Sequence, residues 1–287
     1  MKFRKLTTVL LIAAFLSGLS LLLYPTLSNY WNTLRMTRVV ANYTAMVSEL
    51  DAKTYRAILK QAHDYNHGIL FRNNPLSPSE KEKKRYPKML CIGDSQVMGC
   101  IEIPKIGLKL PILHGTEPSV LQSGVGHIEW SSLPVGGEST HCVLSGHRGL
   151  PSAKLFTDLD RLETGDIFTL QVLDETLVYE VDQILTVTPE DVEALQIVPG
   201  EDYCTLVTCT PYGVNTHRLL VRGKRTALQN DGDLRRISAD AMQIEPEIVA
   251  PVLAIPLLLI LLIWLLLGTR KREKNPGEKK SNRKRRR

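Results

Sequence analysis

The chain has 287 residues, 43% of them hydrophobic, enough for one well-packed domain with additional segments. Its formal charge is +6, yet residues 269–287 carry +9 and residues 1–5 carry +3, so residues 6–268 carry −6. A basic nucleic-acid-binding body is thereby excluded, because the high isoelectric point belongs to the ends.

In chain order, residues 6–24 (LTTVLLIAAFLSGLSLLLY) contain no charge and are long enough to cross about 30 Å of hydrocarbon. A basic start with Lys2, Arg4 and Lys5 also fits a secretory signal, but no small-x-small cleavage site follows. The segment is therefore read as an uncleaved anchor over residues 1–24.

Residues 25–70 form the next segment, where Val39, Val40, Tyr43, Met46, Val47, Leu50, Ile58, Leu59 and Ala62 recur at helical spacing. This predicts an amphipathic helix or helix pair leading away from the membrane. His63 and His67 stand at i and i+4, but two ligands do not make a metal site, and a solvated helix end is the reading adopted.

Residues 71–98 begin FRNNPLSPSEKEKKRYPK, rich in proline, serine and charge and without a period, which predicts a long exposed loop. The texture then changes over residues 99–228 to seven short β-type runs: CIEIPKI, LKLPILHG, THCVLSG, DIFTLQV, LVYEVDQILTV, DYCTLVTC and THRLLVRG. A compact barrel or sandwich follows, with short helices expected in KLFTDLDRL and PEDVEAL. Residues 229–247 read as a linker, and residues 248–267 (IVAPVLAIPLLLILLIWLLL) as a second span kinked by Pro251 and Pro256. Residues 268–287 form a basic tail. Positive flanks stay cytoplasmic, so both termini are placed inside and the residues between the spans on the extracellular face. Membrane lipid, rather than nucleic acid, is the partner expected for the tail.

An extracellular domain permits disulfides, and five cysteines cannot all pair within one chain. Cys209 is the candidate for the unpaired thiol. It ends TLVTC, at the edge between a β-branched run and a Pro-Tyr-Gly turn. His147 in SGHRG and Arg218 in NTHRLLVRG also stand at strand edges. A thiolate supported by a nearby cation is a usable nucleophile, an imidazolium can protonate a leaving amine, and a guanidinium can hold an oxyanion. Taken singly, the cysteine reads equally as a core residue, the histidine as part of a turn, and Arg222 competes with Arg218. The other histidines, His114, His127, His141 and His217, are read as structural.

These motifs, together with MGCIEIPKIGLKLPI, resemble the sortase family, most closely its class C, pilus-building members. The resemblance implies a mainly β fold, a closed eight-stranded barrel with short helices, an N-terminal helical extension and two transmembrane helices. It implies Cys209 as nucleophile, His147 as acid/base and Arg218, nine residues after the cysteine, as the third member. The implied reaction is transpeptidation at an LPxTG-like sorting signal through a thioacyl-enzyme, resolved by a pilin lysine. No cofactor or metal is called for. Partners implied are pilins or other surface proteins with LPxTG-like signals. A wall-anchoring enzyme using a peptidoglycan-precursor amine is the alternative within the family, and a membrane-tethered binding module the alternative outside catalysis.

Two departures from the class C pattern stand out. The lid motif, aspartate-proline-aromatic, corresponds here to Asn74-Pro75-Leu76, without charge or ring. Cys142 precedes His147 by five residues and Cys204 precedes Cys209 by five, so parallel, in-register strands would set these thiols side by side. A disulfide is possible between them, as it is between Cys91 and Cys100, but buried thiols are favoured because such cross-strand bridges are strained.

Overall fold

A computed structural model describes residues 2–93, 95–227, 254–260 and 262–263. The chain divides into two units, Met1–Ser28 with Gln243–Arg287, and Asn29–Met242. In the first, the N-terminal segment belongs to helix α1 (Lys2–Ser48), which runs through Pro25. Among the described residues α1 is the helix long and apolar enough to cross a membrane. Residues 254–260 are helical. The rest of the second expected span, with the linker over residues 229–247 and the tail over residues 268–287, lies outside the described residues.

The second unit is built on eight strands: β1 (Val97–Ile103), β2 (Leu108–His114), β3 (Val125–His127), β4 (Thr140–Ser145), β5 (Ile167–Val172), β6 (Glu175–Val187), β7 (Asp202–Thr210) and β8 (His217–Arg225). They close into a barrel in the order β1-β2-β3-β4-β7-β8-β6-β5, with β5 returning to β1. β2–β3 and β4–β7 are parallel and the other pairs antiparallel. Side chains alternate across each strand. Cys204 and Leu206 of β7, with Leu219 and Val221 of β8, therefore join the interior core, while Val207 and Leu220 form a second cluster on the outer face.

Seven of these strands coincide with the runs read from the sequence. β3, three residues long, was not among them, because three residues are too few to show a period. The stretches KLFTDLDRL and PEDVEAL each hold the expected short helix, of 3-10 type, at Leu159–Arg161 and Glu193–Leu195.

The expected helical segment is a pair: α1 continues to Ser48, and α2 (Ala52–Ile69) follows, its N-terminus capped by the Asp51 side chain accepting from Lys53 N and Thr54 N. Both helices are part of the barrel's core. The buried Tyr43 hydroxyl donates to Met98 O at 3.1 Å and accepts from Leu173 N at 2.7 Å. The buried Asn66 amide bonds Leu133 at both ends, 3.0 Å to its carbonyl and 2.7 Å from its N–H. His63 and His67 are exposed on α2.

The segment expected as a plain exposed loop differs from that expectation in its second half. Helix α3 (Glu80–Arg85) opens with a Ser79–Glu82 capping box, and Tyr86, Met89, Leu90 and Ile92 enter the core. Apolar residues arranged without a period gave no helix or strand signal, although they bury as well as periodic ones.

Candidate active site

The site is built by three adjacent strands, β4, β7 and β8. On the β4–β7 ladder Ser145 stands opposite Val207, and Gly146 N extends the pairing to Val207 O at 3.0 Å. The Thr208 hydroxyl donates to Gly146 O at 2.8 Å. A Cβ on Gly146 would fall 2.6 Å from the buried Phe156 ring, so only glycine lets β4 leave the barrel along this path. His147 lies two residues beyond Ser145, as Cys209 lies two beyond Val207. Across the other ladder Cys209 and Arg218 are directly opposed.

Alternation places Cys209 on the outer face with Val207, and Arg218 on it with Leu220. His147, Cys209 and Arg218 are each half-buried, a level at which a thiol can meet a ligand while the strands hold its backbone. The Arg218 Nη1 donates to Asn215 O at 3.2 Å and His217 O at 3.0 Å, which aims the guanidinium with the carbonyls of its own turn. Among the described residues no carboxylate pairs with it. Arg222, four residues further along β8, is opposite Thr205 and held in a two-bond fork by Asp182, at 3.0 and 2.7 Å, with its guanidinium 4.2 Å above the Tyr203 ring. Arg222 is thus held by a carboxylate, and Arg218 by backbone carbonyls.

On the face that carries Cys209 lies a buried apolar cluster of Val143, Val207, Leu220 and Leu195, with Trp130 and Val187 packed against it. Its edge is fixed by His141, 1% exposed, whose Nδ1–H donates to Gln196 O at 2.8 Å while Nε2 accepts from the Thr205 hydroxyl at 2.7 Å. Burial lowers the His141 pKa to about 4, keeping the ring neutral. His127 is likewise buried and bonded, His114 lies between Met89 O and Gln96 O, and His217 is exposed beside Thr216. His141 was read from the sequence as structural; the cluster itself was not foreseen, since an outer apolar face alternates like any strand until the 3-10 turn at Leu195 packs against it.

Cys142 and Cys204 are register partners, both buried and both free thiols. Burial pushes the Cys204 pKa well up, so that it stays protonated. Cys91 and Cys100 are also free. Among the described residues no cluster of three His, Cys, Asp or Glu side chains is arranged to hold a metal.

The lid-like segment is anchored at its root. Arg72, its side chain 5% exposed, donates to Glu82 at 2.7 Å and to Trp130 O at 2.7 Å. Asn74 spends its side chain within its own turn, accepting from Leu76 N at 3.1 Å.

The sortase domain family model matches residues 101–226. Sortase D of Bacillus subtilis is 34% identical over 133 residues, 45% of this chain and 64% of that protein, so the chain spans just under two thirds of this relative. The crystal structure of sortase C1 from Streptococcus agalactiae is 52% identical, with a TM-score of 0.65, covering 68% of this chain and all of that one (100%). The chain belongs to the sortase family. A Clostridium perfringens sortase C, solved with the C-terminal cell wall sorting motif, is 42% identical with a TM-score of 0.59 over 67% of this chain and 100% of that one. Both solved sortases are of class C, in agreement with the class read from TLVTC, SGHRG and the arginine nine residues on. The barrel is thus a sortase barrel, and the row on β4, β7 and β8 lies within the matched residues.

Proposed function

We propose that this sortase is a membrane-anchored cysteine transpeptidase that cleaves LPxTG-like sorting signals and passes the acyl group to a lysine amine of a pilin subunit. The reading is supported by one observation: Cys209 and Arg218 are directly opposed on β7 and β8, and His147 follows Ser145, the β4 partner of Val207, by the same two residues by which Cys209 follows Val207. The Cys209 thiolate attacks the threonine carbonyl carbon, and the guanidinium of Arg218 donates to the oxygen that gains charge. The peptide C–N bond then breaks, and protonated His147 gives its proton to the leaving amine. A lysine amine attacks the thioester, His147 accepts its proton, and the Cys209 thiolate leaves. That C. perfringens sortase C was solved with a sorting motif supports this substrate class for a chain 42% identical to it.

The domain limits fit the same reading. The anchor occupies residues 1–24, the helical segment 25–70, the lid-like segment 71–98 and the catalytic barrel 99–228. The C-terminal span over residues 248–267 and the basic tail put both termini on the cytoplasmic side by the excess of positive flanks.

The acceptor is tested by supplying the detergent-solubilised full chain with an LPxTG-like peptide and two competing amines, a lysine-containing pilin peptide and a peptidoglycan-precursor amine. Preferential isopeptide formation on the lysine is expected. Preference for the precursor amine would assign the protein to wall anchoring, and binding of the peptide without cleavage would make it a recognition module.

A further inference from the structure

Two loops frame the thiol, one leaving β4 with His147 and one joining Cys209 to Arg218. The inner side of the first is fixed to the segment that follows it. Phe156 N donates to His147 O at 3.0 Å, Gly149 N donates to the Thr157 hydroxyl at 3.1 Å, and Arg148 pairs with Asp160. Its outer side meets the second loop at Tyr212. A Cβ on Gly149 would lie 2.7, 3.1 and 3.2 Å from Cε2, Cζ and Cδ2 of Tyr212, so one edge of the ring rests against the glycine's Cα. Gly149 has φ +75, a left-handed conformation that itself favours glycine. The ring is nevertheless 62% exposed. A core aromatic is explained by the area it buries, and this one buries little.

We propose that Tyr212 is a positioning residue for the transfer reaction: by leaning on Gly149 it couples the loop carrying His147 to the loop joining Cys209 and Arg218, and keeps the imidazole level with the thiol. The inference rests on the assignments of His147 and Cys209 under the proposed function. Without the ring the two loops move independently, and imidazole and thiol spend less time within proton-transfer reach.

The test uses the full chain in detergent. Peptide turnover is measured, and the pH dependence of Cys209 alkylation by iodoacetamide is followed by peptide mapping. Tyr212→Ala should lower kcat about tenfold with KM within about twofold, and shift the pH midpoint of alkylation. Tyr212→Phe, which keeps the packed edge, should restore both. Gly149→Ala should drive a methyl into the ring and reproduce the loss, adding little in the Tyr212→Ala background.

Unchanged kcat and pH midpoint in Tyr212→Ala would overturn the proposal. So would a Tyr212→Phe loss as large as that of alanine, or full additivity of Gly149→Ala, which would trace its effect to backbone strain. A fall in melting temperature that parallels the loss of activity would make Tyr212 a structural prop and also overturn it. If the unsubstituted chain forms no acyl-enzyme, the failure belongs to the proposed function instead.

Discussion

Cys209 and Arg218 are opposed residues on β7 and β8, and the Arg218 guanidinium is tied by Nη1 to Asn215 O and His217 O. A lysine at 218 keeps the charge and loses the planar fork that can bond these carbonyls and an oxyanion together. Arg218→Lys is expected to lower kcat by about 10² or more with a small change in KM, measured by steady-state turnover of a sorting-signal peptide. Arg222→Lys, whose parent is occupied by Asp182, should keep turnover within a few fold. Equal losses at both positions would place the oxyanion contact elsewhere.

His141 should make stability depend on pH. Its folded pKa is lowered from 6.5 to about 4, so the unfolded chain takes up the proton first as pH falls. Its contribution is nil above about pH 6.5, becomes progressively unfavourable between about 6.5 and 4, and levels off below, at a loss of about 3 kcal/mol. Burial also lowers the pKa of His114, which acts in the same direction. Urea midpoints between pH 4 and 7 check this, and His141→Gln should flatten part of the slope. A slope unchanged by that substitution would show that other groups account for it.

The lid-like segment should be firm at its root and weak at its tip. Arg72 and Glu82 are half-buried partners, and removing one leaves the other without its charge partner, so Arg72→Ala is expected to cost about 2 kcal/mol in denaturant unfolding. Among the described residues the tip is held more weakly: Arg72 Nη1 donates to Pro75 O at 3.4 Å, and the Asn74 side chain bonds only within its own turn. Deleting residues 73–76 should change the rate of Cys209 alkylation by only a few fold. A hundredfold increase would reveal a closed plug.

Cys142 and Cys204 are expected to remain thiols. A non-reducing peptide map of the intact chain should recover Cys91, Cys100, Cys142 and Cys204 as free cysteines, consistent with their state in the fold. A Cys142–Cys204 cross-linked peptide would contradict this.

Legibility followed chain locality. The three candidate residues stand out because each lies within two residues of the end of a strand with a strong β pattern, and the side-by-side placement that parallel, in-register strands would give Cys142 and Cys204 is found on the β4–β7 ladder. β3 escaped because Val125–His127 is too short for a pattern, although it joins β2 to β4 and without it the barrel would not close. The burial of Tyr86, Met89, Leu90 and Ile92 was hidden by charged and proline-rich neighbours that dominate their window. Three contacts near the site, Tyr212 on Gly149, His141 on Gln196 and Arg222 on Asp182, join residues 40 to 63 positions apart, and no local period reports them.

The central claim is that Cys209 is the nucleophile of a transpeptidase whose proton shuttle is His147. It is tested most directly by intact-mass analysis of the full chain incubated with an LPxTG-like peptide and no amine acceptor. The account predicts a hydroxylamine-sensitive thioester on Cys209, absent in Cys209→Ala, reduced about 10² or more in formation rate in His147→Ala, and released as an isopeptide when a lysine peptide is added. Peptide cleavage that persists in Cys209→Ala, or an acyl group mapped to any other residue, would contradict it.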